Sequence, residues 1–460
     1  MDRRTALVVT TTATRTAATT AGFVGTLASS VLLSTSTTPA VVTLAPSTQE
    51  QIQGQGQLSQ ENVGIVHRVD NRNDGGDGGG DPPSSFLELN NQDGTSPIVS
   101  IPRVGYSLFK TSPEQTERCT LLALLSGVVH FDLATQYNNT EQVNTALQKY
   151  WHGGRHNVRR HLQQRETPGL LAVMEQTYQR QQQQQRPMNS PFYRFLPNSN
   201  YNCDDPISLQ KGKNRNRRRK ELFLSYKISN EEQSTDPGRV ERAIRRVLDA
   251  LQIDYLDMVS IHSPLTDANT RLETYRTLLE LQQQGMIRTV GVCNYGCTPL
   301  QEIERAGLSL PVVNQIELSP FNTHSDVVQY CNDHDIAVCC APWSRLSSID
   351  GPTQQWDVLS KLAQQKQMTK AQVLVRWALQ KGYLCVPRSA SASKVERMAI
   401  AENSYGGVVV NNRPTFRLTT TEMRLLDTLN VNYKAGKLGR KDGWTDSDVT
   451  GPEWDPTDAV

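Results

Sequence analysis

Short runs of β-branched and apolar residues alternate along most of the chain with stretches whose apolar positions recur every three to four residues. In the stretch 239–251, for example, the apolar residues, among them Val240 and Ile244, fall on one face of a predicted helix. Strands that alternate with helices build a parallel sheet. The pattern predicts eight strands, at residues 99–107, 128–132, 222–227, 257–262, 289–294, 312–317, 337–344 and 383–389.

The predicted strands and helices fall between residues 97 and 432 and are interrupted by one polar block at 151–219. Without that block the segment has close to the ~250 residues of a typical (β/α)8 barrel. We therefore predict an α/β fold, a (β/α)8 TIM barrel with an N-terminal disordered extension and one long low-complexity insertion. Residues 433–460 are expected to form a C-terminal tail.

The first 49 residues are rich in Thr, Ser and Ala and contain a single acid, Asp2, against three arginines. This composition is typical of a transit peptide and predicts import into a plastid or mitochondrion. A secretory signal, or a disordered tail on a cytoplasmic protein, stays open as an alternative. The apolar stretch at 21–33 is interrupted by glycines and serines and is too short to span a bilayer, so no membrane partner is expected.

Two further segments have low complexity. Residues 50–96 are largely Gln-, Asn- and Gly-rich and are expected to be a disordered linker. The 151–219 block contains a run of five glutamines at 181–185 and leads into a basic run at 211–220. We interpret the basic run as a solvated loop. Binding of RNA or DNA through it is the alternative, which predicts a strongly salt-dependent affinity.

Charge and cysteine content exclude other classes of site. The formal net charge of the 460 residues is only +2, so no overall field favours nucleic acid, and we expect a small neutral partner instead. The eight cysteines lack the spacings of a zinc site, and several lie in apolar runs typical of buried strands. The sequence therefore predicts reduced cysteines and no metal.

Four titratable residues lie at or just beyond the ends of successive predicted strands, where a barrel of this kind carries its reacting groups. Asp132 ends the second strand and Tyr137 follows it, Lys227 ends the third, and His262 ends the fourth. Together they could form a proton donor, with Asp132 holding Lys227 as an ion pair. A neighbouring ammonium or imidazole stabilises a phenolate, so we expect the pKa of Tyr137 to be brought toward neutrality.

These residues lie in strings that resemble the aldo-keto reductase family, and the resemblance runs from about residue 101 to 430 around the insertion. The matching strings are FDLATQY (131–137), ELFLSYK (221–227), DYLDMVSIHSP (254–264), GMIRTVGVCN (285–294), VNQIE (313–317) and VPRS (386–389). The resemblance implies a catalytic tetrad of Asp132, Tyr137, Lys227 and His262. It also implies NADPH bound across the barrel mouth. No GxGxxG follows a strand, which disfavours a Rossmann fold.

The same resemblance implies the residues that bind the cofactor. Asn294 and Gln315 would hydrogen-bond the nicotinamide carboxamide, and Trp343 would stack on the ring. Implied contacts to the phosphates and the adenosine are Ser344, Leu346, Arg388, Ser389, Arg397, Glu402 and Asn403, with Lys394 as the competitor of Arg397. A guanidinium at position 388 suits a 2′-phosphate, which favours NADPH over NADH.

Three departures from the usual family pattern bear on the site. Ser107 and Leu108 stand where Gly-Thr is usual after the first strand, which crowds a place where the backbone meets the nicotinamide. Cys293 stands where a serine is usual, and a thiol is a poorer hydrogen-bond donor to the carboxamide. Ser263 stands where an aromatic residue usually follows the catalytic histidine, which could widen the substrate pocket.

The sequence thus predicts NADPH-dependent reduction of an aldehyde or ketone to an alcohol, with Tyr137 as general acid and a small-molecule carbonyl compound as the partner. The alternative is a non-catalytic barrel that binds NADPH as a regulatory or scaffold subunit.

Overall fold

The computed structural model describes residues 86–89, 99–109, 111–164, 172, 211–341, 353–388, 409–410, 413–414 and 417–433. The expected transit peptide, most of the linker and insertion, and the tail beyond residue 433 lie outside the described residues, so those predictions stay open.

Eight parallel strands form one sheet in which each strand pairs with the next along the chain. They are β3 (Tyr106–Ser107), β4 (His130–Ala134), β5 (Phe223–Ile228), β6 (Leu256–Ile261), β7 (Ile287–Cys293), β8 (Val313–Glu317), β9 (Ala337–Ala341) and β10 (Leu384–Cys385).

The first and last strands of this sheet join to close it. The N–H of Gly105 donates to the carbonyl oxygen of Cys385 at 2.8 Å, and that of Ser107 donates to Pro387 at 3.0 Å. Parallel bridges join Val104 to Cys385 and Ser107 to Arg388. The predicted barrel is therefore confirmed.

The predicted strand at 99–107 is wrong as a single strand. Residues Val99–Pro102 (β2) instead pair antiparallel with Phe86–Leu89 (β1), which lies inside the predicted linker. The break follows Pro102, and the barrel strand β3 starts only at Tyr106. Leu87 of β1 and Ile101 of β2 belong to the same buried cluster as Phe223 and Val313 of the barrel strands. The hairpin therefore packs against the barrel interior.

The helices are α1 (Pro113–Leu125), α2 (Thr140–Gln163), α3 (Lys211–Lys220), α4 (Pro237–Leu251), α5 (Ala268–Gln283), α6 (Cys297–Arg305), α7 (Ser325–Asp333), α8 (Thr353–Gln365), α9 (Lys370–Gln380) and α10 (Thr420–Asp427). Short strands at Val409–Val410 (β11) and Arg413–Pro414 (β12) pair antiparallel. Helix α4 starts with Pro237 after Asp236, whose carboxylate caps the N–H of Gly238.

The predicted insertion begins later than residue 151, and the interpretation of the basic run as a solvated loop is wrong. Helix α2 continues to Gln163 across a kink at Gly154, where φ is +60°, and buries Trp151, Val158 and Leu162. The basic run forms helix α3, which packs on α2. Its Arg219 is buried and ion-paired with Asp257 at 2.8 Å.

Among the described residues all seven cysteines are free thiols, and no group of three or more His, Cys, Asp or Glu side chains could hold a metal ion. Cys339 and Cys340 lie in different buried clusters, one inside the barrel and one beneath the helices, as adjacent strand residues must. Within the same part of the chain, no helix is long and apolar enough to cross a bilayer.

Candidate active site

The four predicted catalytic residues converge at the C-terminal ends of the barrel strands. Asp132 lies in β4 and Lys227 in β5, and His262 directly follows β6. Tyr137 ends a 3₁₀ turn, Thr135–Tyr137, that begins where β4 stops. The strand register places Lys227 opposite Ala134, so its side chain shares a face with Asp132 two residues earlier.

The carboxylate of Asp132 connects three of these side chains. Its Oδ1 accepts a hydrogen bond from the Nζ of Lys227 and forms an ion pair with it. Its Oδ2 accepts from the hydroxyl of Tyr137 at 3.4 Å. The Nζ of Lys227 also lies 5.2 Å from the centre of the Tyr137 ring. The phenol therefore lies next to one buried positive charge and one buried negative charge.

His262 completes the group beside the phenol. Its ring meets the ring of Tyr137 edge-to-face, with 6.3 Å between the centres and 80° between the planes. Burial lowers the pKa of His262 well below its usual value, and the charge of Lys227 lowers it further. A neutral imidazole at neutral pH is the consequence, and it could hydrogen-bond a substrate oxygen without adding charge.

The expectation that the pKa of Tyr137 is brought toward neutrality is wrong. Burial raises the pKa of Tyr137 above its usual value; Lys227 lowers it, but Asp132 raises it again. Burial has the largest single effect on Lys227 and acts to lower its pKa, but the charge of Asp132 and its hydrogen bond, together with Tyr137 and Cys293, outweigh burial, so the pKa is raised. Tyr137 is thus a protonated phenol beside a charged ammonium, which is the state needed to give up a proton.

A cleft opens above these residues. It is lined by Ser107, Phe109, Tyr137, Lys227, His262, Cys293, Asn294, Gln315, Ile316 and Ala341. No carboxylate is among these described lining residues, and the polar atoms on the β7–β8 side are amides and a thiol.

The two amides predicted to bind a nicotinamide carboxamide lie together on that side. The backbone N–H of Asn294 donates to the carbonyl oxygen of Gln315 at 2.9 Å, and Asn294 adopts a φ of +60°. Its Nδ2 donates to the carbonyl oxygen of His262 at 2.9 Å. The thiol of Cys293 donates to Oε1 of Gln315 at 3.4 Å, and burial raises the pKa of Cys293 to about 12. These neutral donors and acceptors fit a carboxamide.

Among the predicted contacts to the cofactor phosphates and adenosine, Arg388 is the one that lies within the described residues. Arg388 follows β10, and its Nε donates to the carbonyl oxygen of Phe109 at 2.6 Å. This contact holds the guanidinium at the rim between the first and last strands. The other predicted contacts lie outside the described residues: Trp343, Ser344, Leu346, Ser389, Lys394, Arg397, Glu402 and Asn403.

The structure adds residues that the sequence did not single out. Phe109 packs against Tyr137 with 5.5 Å between ring centres. Thr135 donates to Glu232, whose Oε2 also accepts from the N–H of Ser229 at 3.0 Å. That link ties the turn carrying Tyr137 to the loop after β5. Position was the only signal in the sequence for these residues, because each of them follows the end of a strand.

Ser263, which stands where the family usually has an aromatic residue, contacts two neighbouring loops. Its hydroxyl donates to Oδ1 of Asn230 at 2.8 Å, and its carbonyl oxygen accepts from Gln233 at 3.0 Å. Ser263 thereby joins the loops after β5 and β6 and is absent from the lining of the cleft.

Known proteins share this sequence pattern. A family model described as Aldo/keto reductase family matches residues 208–404. Glyoxal reductase of Bacillus subtilis is 32% identical over 218 residues, which are 47% of this chain and 72% of that protein. The chain belongs to the aldo/keto reductase family. The methylglyoxal reductase DkgA of Yersinia pestis is 34% identical over 178 residues, which are 38% of this chain and 62% of that protein.

Solved structures of this family share the fold. An aldo-keto reductase of Bombyx mori, determined in complex with NADP, matches with a TM-score of 0.54 and 19% identity, over 81% of this chain and all of that one. An aldo/keto reductase from Brucella melitensis matches with a TM-score of 0.51 and 21% identity, over 75% of this chain and 98% of that one.

Proposed function

We propose that this aldo/keto reductase uses NADPH to reduce a small aldehyde or ketone to the alcohol. The observation that carries the proposal is the meeting of Tyr137, Lys227 and His262 at the floor of one cleft, with Asp132 buried beneath. Relatives named glyoxal reductase and methylglyoxal reductase make small dicarbonyl compounds the first substrates to test.

The side chains present suit a nicotinamide cofactor. Asn294 and Gln315 would hold its carboxamide, and Arg388 would hold a 2′-phosphate. When bound, the cofactor supplies a hydride to the carbonyl carbon. The cleft wall on the β7–β8 side is formed by amides and a thiol. No charged side chain among the described lining residues of that wall would therefore compete with the neutral nicotinamide ring.

The chain itself would supply the proton. A carbonyl oxygen placed between the phenol of Tyr137 and the ring of His262 can accept hydrogen bonds from both. As negative charge develops on that oxygen, Tyr137 transfers its proton to it. The Lys227 ammonium stabilises the phenolate that remains, and Asp132 keeps Lys227 charged and in place.

The variant Tyr137→Phe tests this assignment. It should bind NADPH as the wild type does, by fluorescence titration, but lose carbonyl reduction by a factor of at least about 10² because the phenol that donates the proton is gone. The wild type is assayed first with glyoxal, methylglyoxal and a panel of aldehydes, ketones and sugars. Near-normal turnover by the variant would refute the role of Tyr137. Tight NADPH binding without turnover in the wild type would favour a regulatory or scaffold barrel.

We also propose that residues 1–49 direct the protein to a plastid or mitochondrion, on their composition alone.

A further inference from the structure

A second polar group lies inside the barrel, one layer below the site. His130 precedes Asp132 by two residues in β4, so both side chains point into the barrel. Ser225 of β5 is the register partner of Asp132. The Nε2 of His130 lies 3.0 Å from the hydroxyl of Ser225, and its Nδ1 lies 3.2 Å from the carbonyl oxygen of Pro102.

The His130 ring is held tightly in this position. It is 2% exposed and meets the Phe223 ring edge-to-face, with 4.8 Å between the centres. A Cβ placed on Gly105 would lie 2.8 Å from two of the ring atoms. Only a glycine at that point of the chain leaves room for the ring.

The partners of His130 determine which nitrogen carries its proton. The carbonyl oxygen of Pro102 can only accept, so Nδ1 must be the donor. Burial lowers the pKa of His130, and the charges of Asp132, Lys227 and Asp257, which act on it from its own strand and the next two, leave that direction unchanged. The ring is therefore neutral, and its Nε2 is an acceptor.

This assignment decides where the single hydroxyl proton of Ser225 goes. Three acceptors lie near its oxygen: Nε2 of His130 at 3.0 Å, the carbonyl oxygen of Phe131 at 3.3 Å and Oδ1 of Asp132 at 3.5 Å. The nearest is His130. While His130 accepts the hydrogen bond from Ser225, the carboxylate of Asp132 accepts hydrogen bonds from Lys227 and Tyr137 alone.

We propose that His130 is a positioning residue that keeps the Ser225 hydroxyl proton away from Asp132, so that the whole carboxylate charge acts on Lys227 and Tyr137. This inference rests on the proposed function, because it concerns how the proton donor is maintained. It assigns His130 and Ser225 a role that neither strand packing nor the barrel fold requires.

The consequence of removing His130 follows from charge. In a His130→Phe variant the Ser225 proton has two acceptors left, and the charged Asp132 makes the stronger hydrogen bond. That bond weakens the effect of Asp132 on the phenol. Since Asp132 acts to raise the pKa of Tyr137, the basic limb of the kcat/KM profile should move to lower pH, by about half a unit.

A double variant separates this role from packing. In His130→Phe combined with Ser225→Ala no hydroxyl proton remains to be redirected, so the basic limb should return to its wild-type position. Ser225→Ala alone should leave the limb unchanged. Thr289→Val is the matched control, because the hydroxyl of Thr289 is also buried in the barrel but donates to the backbone carbonyl oxygen of Asp257, at 2.8 Å. Equal shifts in the single and double variants, or no shift in either, would overturn the proposal.

Two measurements do not need turnover. Nitrogen-15 NMR of the wild type, with His130→Phe to assign the signal, should show His130 protonated at Nδ1 only; protonation at Nε2 would overturn the proposal. Ultraviolet titration of each variant against its Tyr137→Phe counterpart should give the same shifts as the pH profiles, and unshifted titrations would also overturn it. If the wild type reduces no carbonyl compound, the proposed function fails while these two measurements still decide the inference.

Discussion

The ammonium of Lys227 forms an ion pair with the carboxylate of Asp132 inside the barrel, where the two side chains are 3% and 2% exposed. Two charges removed from water in this way are costly to separate, since each would otherwise be left uncompensated. The pair therefore links the stability of the barrel to the state of the Tyr137 phenol above it.

Replacing Lys227 by Met should remove both the stability that the ion pair gives the barrel and the positive charge that acts on Tyr137. The buried Asp132 loses its counter-ion, so the free energy of unfolding should fall by about 3–5 kcal/mol, and carbonyl reduction should be lost with it. Urea denaturation and steady-state assays measure the two effects. Asp132→Asn, which removes the charge but keeps the shape, serves as the comparison. A Lys227→Met protein as stable as the wild type would contradict the buried pair.

Arg388→Ala should weaken NADPH binding far more than NADH binding. The guanidinium is anchored to the carbonyl oxygen of Phe109 at the rim of the barrel, and it can pair with a phosphate dianion that NADH lacks. We expect the Kd for NADPH to rise at least about tenfold more than that for NADH in fluorescence titrations. Arg388→Lys should have an intermediate effect on the Kd for NADPH, because lysine keeps the positive charge but lacks the paired N–H donors of the guanidinium. Equal losses for both cofactors would show that the 2′-phosphate is bound elsewhere.

Cys293→Ser should tighten cofactor binding. The thiol is a weak donor to Gln315, at 3.4 Å, and a hydroxyl in its place would hold that amide and a bound carboxamide better. One improved hydrogen bond of about 1 kcal/mol corresponds to roughly fivefold in Kd. Cys293→Ala should weaken binding relative to the wild type. The order Ser, Cys, Ala in affinity is the expected result, and any other order would argue against a contact between residue 293 and the cofactor.

Arg219→Ala should destabilise the barrel although it lies in a basic run. Its guanidinium pairs with buried Asp257 and donates to the carbonyl oxygen of Tyr255 at 2.8 Å. We expect a loss of about 3 kcal/mol, less than for an isolated pair because Arg288 also contacts Asp257, at 3.0 Å. Arg242→Ala is the control, since its pair with Asp236 is well exposed and should change stability by less than about 0.5 kcal/mol. Similar losses in both variants would contradict the docked helix.

Local patterns were sufficient for much of the fold. Alternation of buried strands with amphipathic helices predicted the eight strands and their order, because a parallel sheet buried on both faces needs continuous apolar runs. The same patterns failed where a polar composition hid a helical face, as with Trp151, Val158 and Leu162 of α2. They failed also at Pro102, where one apolar run is divided between a hairpin and the barrel.

The sequence by itself determined which side chains stand near the strand ends, since Lys227 lies next to the end of β5 and His262 follows β6. Asp132, predicted to end its strand, lies two residues before the end of β4. Only the tertiary structure decided their charge states and partners. Whether the pKa of Tyr137 rises or falls depends on burial and on distances to Asp132 and Lys227, which belong to different strands. The proximity of His130 to Ser225 likewise depends on strand register. Such quantities arise from desolvation and from contacts far apart in sequence, and no local pattern encodes them.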